Sequence, residues 1–359
     1  MTGRGSLPAD ACSIAWERSG LPVYGSAAQA TFIVALEQPG PWGRDAIVQS
    51  HLDPEVGRAI EDACARAGGR FLLIRAPGAH SDIEHASPRR VFVSGGLAVG
   101  RPWLLVGTVV RPATLLELPF ADLGAGGAFA ARAVVPGHLT TTTGILLVCT
   151  NSKRDVCCAV RGRPIARAAA EQRPGRVWEC THTGGHRFAP TGVALPTGHT
   201  VANLTTELAV EIVDASARDE LAAGALGPSH DRGRSCLPAP AQAAESFVRA
   251  ETGETDPHAF RVRISMAGGI LAHVTHTDGR SWLLRLELAP TGDERKDSCA
   301  KPATPPGRGP SLPCRPGTPT RVGSRYGAPA PFSGALHRRG PGPRQHNGTH
   351  NPSTTNGGS

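Results

Sequence analysis

The sequence lacks the features that mark membrane or secreted proteins. No apolar run reaches the roughly 18 residues expected of a transmembrane helix, and the first residues, MTGRGSLPADACS, lack the apolar core of a signal peptide. The nine cysteines are odd in number and scattered, which argues against a disulfide framework. These absences predict a cytoplasmic protein that does not insert into a membrane.

Lysine is almost absent, and acidic residues are almost absent from the last part of the chain. The sequence holds 3 Lys and 35 Arg, with a formal net charge of +8. Residues 295–359 contain ten basic residues and one acid, so residues 1–294 have a net charge of −1. Because the body of the protein is close to neutral, we do not expect it to bind nucleic acid.

Motifs of two common enzyme classes are also missing. No GxGxxG segment follows a predicted strand, so a dinucleotide-binding site is not expected. No pair of acidic residues stands where two carboxylates would flank a glycosidic bond. These absences argue against a nicotinamide-dependent enzyme and against a glycosidase.

Strands and helices alternate in an order that occurs twice. Hydrophobic periodicity in the first part predicts strands at 30–36 and 70–75, a helix at 54–67, and a hairpin of 91–93 with 103–106. The second part predicts strands at 144–148 and 176–180, a helix at about 161–171, and a hairpin of 188–195 with 200–204. The repeated order predicts an α/β fold and suggests an internal duplication.

The end of the chain differs from this pattern. Helices are predicted at 206–222 and 239–252, and strands at 260–264 and 282–288. From residue 303 onward, Pro, Gly, Arg, Ser and Thr dominate, and such a segment buries too little apolar surface to fold. Residues 303–359 are therefore predicted to be disordered.

Four residues of the metal-ligand type stand at the ends of two predicted strands. Cys149 closes one strand, Cys158 lies nine residues later, and His182 and His186 follow the next strand. Loops at the carboxyl ends of such strands share one edge of a sheet, so the two pairs can meet. Gly184 and Gly185 lie between the histidines, where they would leave room for a bound group.

The residues alone leave three kinds of site open. A 2Fe–2S cluster takes two ligands per iron and accepts a histidine pair on one of them. Zinc also accepts two cysteines and two histidines, although the usual short cysteine spacing is absent. A third interpretation is a thiol enzyme that uses Cys157 or Cys158, activated by the start of the predicted helix.

Three segments resemble the sucrase/ferredoxin-like family. They read VCTNSKRDVCCAVRGRPIA, VWECTHTGGHRFAPTGVALPTG and LEQPGPWGRDAIVQSHLDPEVG, and the resemblance extends over about 12–302. It implies a thioredoxin-like ferredoxin domain with a 2Fe–2S cluster on Cys149, Cys158, His182 and His186. Cys157 is an alternative ligand because it neighbours Cys158.

The residues together with this resemblance predict an iron–sulfur protein that transfers one electron. The predicted parts are an N-terminal α/β half (12–135), a thioredoxin-like 2Fe–2S ferredoxin domain (136–210), C-terminal helices and strands (211–302) and a basic tail (303–359). The expected partner is a separate redox protein, and an electron carrier is favoured over a catalyst. Sucrose hydrolysis is not expected, since Asp155 and Glu179 flank the metal site instead of forming a catalytic pair.

Overall fold

The computed structural model describes most of the chain up to residue 303. The described residues are 7–78, 88–128, 130–134, 138–288 and 296–303, together with the backbone of 314–316 and 320–321. Within them, no helix is both long and apolar enough to cross a membrane.

The first half begins with a short helix and continues as an α/β unit. Its elements are, in order, α1 (Cys12–Ser19), β1 (Ile33–Glu37), α2 (Pro54–Arg66), β2 (Arg70–Arg75), β3 (Arg89–Gly95), β4 (Trp103–Val109), α3 (Phe120–Gly124) and β5 (Thr140–Thr141). The Asp53 side chain caps α2 by accepting the N–H groups of Glu55 and Val56. This cap explains why the helix begins at the predicted residue, and the glycine pair after residue 67 explains why it ends close to the predicted one.

The second half repeats the order of strand, helix, strand and hairpin. Its elements are β6 (Ile145–Cys149), α4 (Val156–Gln172), β7 (Val177–Cys180), β8 (Gly192–Leu195), β9 (His199–Val201), α5 (Thr206–Ser216) and β10 (Asp231–Arg234). All five residues of β6 are buried, as expected for a strand covered on both faces.

Ten strands form one mixed sheet, in which the two halves have the same strand order and pairing. The order is β10-β9-β8-β6-β7-β2-β1-β3-β4-β5. Each half has a parallel central pair (β1 with β2, β6 with β7) and an antiparallel hairpin on its outer side. The halves join where β2 and β7 run antiparallel, with Ile74 opposite Cys180 and Arg75 opposite Glu179. This shared topology supports the duplication suggested by the sequence.

The remaining elements form a smaller antiparallel sheet covered by a helix. They are α6 (Ala239–Thr252), β11 (Phe260–Ser265), β12 (Ile270–His276), β13 (Ser281–Leu288), β14 (Cys314–Pro316) and β15 (Thr320–Arg321). Val248 of α6 packs with Phe260, Val274 and Trp282 in one apolar cluster, which fixes the helix on the sheet.

The predicted α/β class is confirmed, and the differences are local. Helix α4 begins at Val156 rather than near 161, because the Asp155 side chain caps it. Strands β5, β10, β12, β14 and β15 were not predicted. Of these, β10 reads DRGR and lacks an apolar pattern. The predicted domain boundaries stay predictions. Most of 303–359 lies outside the described residues, apart from residue 303 and the backbone of β14 and β15, both of which pair with β13.

Candidate metal centre

The four predicted ligands lie together at the carboxyl ends of β6 and β7. Cys149 is the last residue of β6 and stands opposite Cys180, the last residue of β7. His182 and His186 follow in the next loop, and Cys158 lies in the first turn of α4. The Cys158 Sγ atom is 3.2 Å from Nδ1 of His186, and the two imidazole rings stack with centroids 4.8 Å apart.

Helix α4 approaches β6 closely, and this brings the two thiols together. A Cβ atom on Gly162 would lie only 2.6 Å from the carbonyl oxygen of Cys149, so a larger residue would push the helix away. The Asp155 carboxylate accepts the N–H of Cys157 at 2.9 Å and fixes the first turn. Cap and glycine together set the position of Cys158.

Two arginines from distant strands hold the loop that carries the histidines. Arg70 of β2 donates to the carbonyl oxygen of His182 at 2.7 Å. Arg232 of β10 donates to the carbonyl oxygen of Gly184 at 2.8 Å. Burial lowers the pKa of Arg232 to about 9. The first half of the molecule thus contributes directly to the shape of the site.

The glycines between the histidines allow the backbone conformation of the loop. Gly184 and Gly185 have φ angles of 84° and 70°, which glycine adopts without strain. A Cβ on Gly185 would lie 2.5 Å from the ring of Phe188 and 2.6 Å from the Arg232 guanidinium. Protein atoms therefore fill the space beside Gly185, and the expectation that the glycines leave room for a bound group stays a prediction.

The site favours a thiolate and neutral imidazoles. A hydrogen bond from the Cys158 thiol lowers the pKa of Cys149 well below that of an ordinary thiol, against the effect of burial. Burial lowers the pKa of His186 to about 4, and it also lowers the pKa of His182. Nδ1 of His182 is buried and has no hydrogen-bond partner among the described residues. The same hydrogen bond raises the pKa of Cys158 well above that of an ordinary thiol, so this thiol keeps its proton until a metal displaces it. Thiolates and neutral imidazoles are the forms that bind metals, and Cys149 and both histidines are already in these forms.

Cys157 points to a different group of residues. Its Sγ atom lies 3.6 Å from that of Cys12 and 3.4 Å from that of Cys299. With Asp155, these three cysteines form a group that can hold a metal ion, since their ligand atoms all lie within 4.8 Å of one another. No local pattern signals this cluster, because its members come from three distant segments.

Asp155 and Glu179 are both engaged in structural contacts. Asp155 caps α4 and accepts the hydroxyl of Ser298 at 2.8 Å. Glu179 forms a buried ion pair with Arg75 at 2.8 Å. Glu179 also lines a surface groove together with Glu171, Arg163 and Arg167. The expectation against sucrose hydrolysis stays a prediction.

A cleft leads from the surface to His182. It has a volume of about 220 Å³ and lies between the two halves, with Arg44, Arg70 and Arg154 on its walls. Two acids in its lining, Asp45 and Glu61, both pair with Arg58. Among the described residues, Arg44 and Arg154 form no ion pair, so the charge around the opening is mainly positive.

The fold and the site define an α/β protein with a candidate metal centre at the strand ends of its second half. The profile of the family described as sucrase/ferredoxin-like matches residues 24–224, more than half of the chain. The chain belongs to the sucrase/ferredoxin-like family. No curated protein and no solved structure matches the chain significantly. All four predicted ligands lie within the matched segment, whereas Cys12 and Cys299 lie outside it.

Proposed function

We propose that the protein is a one-electron carrier in which Cys149, Cys158, His182 and His186 hold a 2Fe–2S cluster. The observation that carries the proposal is the meeting of these two thiols and two imidazoles at adjacent strand ends. It occurs inside the segment that defines the family. The thioredoxin-like character of the second half belongs to the same proposal, supported by its order of strands and helices.

The spread of the four ligands favours a cluster over a single ion. Among the described residues, the ligand atoms of the group around Cys157 all lie within 4.8 Å of one another. The ligand atoms of Cys149, Cys158, His182 and His186 do not. A single tetrahedral zinc draws its four ligands close together. A binuclear cluster distributes its ligands over two irons and needs a wider site.

The ligand set also affects the reduction potential of the cluster and the route of electron transfer. When bound, the cluster would accept and release one electron, and histidine ligands raise its potential relative to four thiolates. The protein excludes water from the sulfur side, since Cys149 and Cys158 are 1% and 0% exposed. His182 borders the cleft, and we infer that electrons pass there to and from a separate redox protein. The positive walls of the cleft suit an acidic partner surface.

The thiol-enzyme alternative is less well supported. A hydrogen bond from the Cys12 thiol lowers the pKa of Cys157 to about 6, which would favour a reactive thiolate. However, Cys157 and Cys158 are both 0% exposed, and a thiol that attacks a substrate must be accessible. A zinc-stabilised binding module is the remaining alternative, and metal analysis separates it from the cluster.

The deciding experiment is anaerobic purification of the full chain, followed by assays for iron, labile sulfide and zinc. We expect about two irons per chain and visible absorption between roughly 400 and 550 nm. His186→Ala should lose most of the iron and the colour. Cys64→Ala is the matched control, because Cys64 is a buried thiol in α2 of the first half. A colourless wild-type protein with neither iron nor sulfide would refute the electron-carrier function.

A further inference from the structure

Three cysteines from three distant parts of the chain meet beside the first turn of α4. Cys12 begins α1, Cys157 lies in α4, and Cys299 lies in the segment 296–303. Their sulfur atoms are separated by 3.6 Å (Cys12–Cys157), 3.4 Å (Cys157–Cys299) and 3.6 Å (Cys12–Cys299). Cys12 and Cys157 are buried, and Cys299 is partly buried.

We propose that Cys12, Cys157 and Cys299, with the Asp155 carboxylate, form a second metal site that holds one zinc ion. Tetrahedral zinc with Zn–S bonds of about 2.3 Å places its sulfur ligands about 3.8 Å apart. The observed separations of 3.4 to 3.6 Å differ from that value by a few tenths of an ångström. A disulfide would require any two of these atoms to approach to about 2.05 Å, and it would leave the third thiol without a partner.

Asp155 is oriented to supply the fourth ligand. Its Oδ2 atom accepts the hydroxyl of Ser298 and the N–H of Cys299, both at 2.8 Å. Its Oδ1 atom accepts the N–H of Cys157 at 2.9 Å and the thiol of Cys12 at 3.8 Å. The Cys12 thiol would lose its proton on binding the ion, which leaves Oδ1 with one hydrogen bond and a lone pair for the metal. These hydrogen bonds also orient the carboxylate, as the outer contacts of metal sites commonly do.

The surroundings can accommodate the charge of such a site. Zinc binds cysteines as thiolates, and the protons that these residues still carry pass to solvent, so three thiolates and one carboxylate surround a divalent cation. Two ion pairs, Lys296 with Asp10 and Arg187 with Asp297, attach the segment that carries Cys299 to the rest of the protein without adding net charge. The 17-residue helix α4 also directs its positive end toward the group.

This site is separate from the proposed cluster. The adjacent residues Cys157 and Cys158 diverge, because Cys158 contacts His186 whereas Cys157 contacts Cys12 and Cys299. The two ligand sets share no residue. The family match at 24–224 contains neither Cys12 nor Cys299. The zinc site would fasten the start of α1 and the segment 296–303 to the start of α4.

The test is to measure zinc and iron separately in the full chain and its variants. Wild type should contain about one zinc per chain. Cys12→Ser and Cys299→Ser should lose this zinc and keep the iron content and the visible spectrum. Conversely, His186→Ala should lose iron and keep zinc. Cys236→Ser is the matched control, since Cys236 is a partly buried thiol that belongs to neither group.

A cobalt titration tests the same site without relying on variants. Wild-type protein stripped of zinc should bind Co²⁺ and show sulfur-to-cobalt charge-transfer bands with the strong visible bands of a tetrahedral site. The proposal is overturned by wild type that binds neither ion. It is also overturned by a disulfide among the three cysteines, by zinc loss in His186→Ala but not in Cys299→Ser, or by iron loss in Cys12→Ser. An iron-free wild type that still binds zinc through these cysteines would refute only the electron-carrier function.

Discussion

Arg232 shows how much a single buried side chain can determine. It is 1% exposed, donates to the Gly184 carbonyl and to the Thr191 hydroxyl, both at 2.8 Å, and lies 4.7 Å above the ring of Phe188. A buried cation must be compensated by such contacts. Here the contacts fix the backbone between the two histidines. The shape of the ligand loop therefore depends on a residue far away in sequence.

The two loop glycines provide a matched pair of substitutions. We expect Gly185→Ala to lower the free energy of unfolding by about 1–3 kcal/mol more than Gly184→Ala, because overpacking adds to backbone strain. Both residues have positive φ angles, but a Cβ on Gly184 would meet only Ala28, at 3.5 Å. Urea unfolding of the metal-free protein measures the difference. Equal losses in the two variants would contradict the packing shown around Gly185.

At the scale of elements, the start of α4 contributes a cysteine to each of the two candidate metal groups. One turn places Cys157 and Cys158 side by side in sequence and sends their sulfur atoms to different groups. The Asp155 cap both begins the helix and orients the second group. A helix that began near residue 161, as the pattern alone predicted, would contain neither cysteine.

Helix α6 is attached to β10 by a buried group of three charges. Glu245 bonds to Arg234 at 2.7 Å and to Arg249 at 3.1 Å, with the Glu245 side chain 3% exposed. Burial alone would raise the pKa of Glu245, but the two arginines outweigh it and lower the pKa to about 2. The carboxylate therefore contributes stability that is complete above pH 4.5, its ordinary pKa, and is lost as the pH falls toward 2.

This dependence of stability on pH leads to a prediction for Glu245→Gln. At pH 7 the variant should be about 3–5 kcal/mol less stable than wild type, because two buried cations lose their partner. The difference should shrink as the pH falls below 4.5. Urea unfolding at several pH values checks this, with Glu251→Gln, an exposed position on the same helix, as the control. A stability difference that stays constant with pH would contradict the lowered pKa of Glu245.

At the scale of the whole molecule, the two halves share a topology but not a chemistry. The last residue of β6 is Cys149, and the last residue of β1 is Glu37. The described part of the first half thus offers no thiol at the matching strand end. That half instead supplies Arg70 to the ligand loop and one wall of the cleft at His182. Both observations are consistent with a duplication in which only the second copy carries the candidate ligands.

The opening at His182 leads to a prediction about proton coupling. If a ligand imidazole loses its N–H proton when the cluster is oxidised, the midpoint potential should fall as the pH rises. The limit is about 59 mV per pH unit for one proton and one electron. Potentiometric titration between pH 6 and 10 measures the slope, and His182→Cys, which removes the imidazole, should reduce it. A wild-type potential that does not change with pH would exclude the coupling.

The sequence by itself determined the α/β class, most strand positions and the four candidate ligands of the second half. Hydrophobic periodicity and strand ends are local properties, and they place Cys149, Cys158, His182 and His186 at one edge of a sheet. Only the tertiary structure brought Arg70 and Arg232 to the ligand loop. It also directed Cys157 away from Cys158 and placed the sulfur atoms of Cys12 and Cys299 in contact. These contacts join residues up to 287 positions apart, and no local pattern encodes packing between such distant segments.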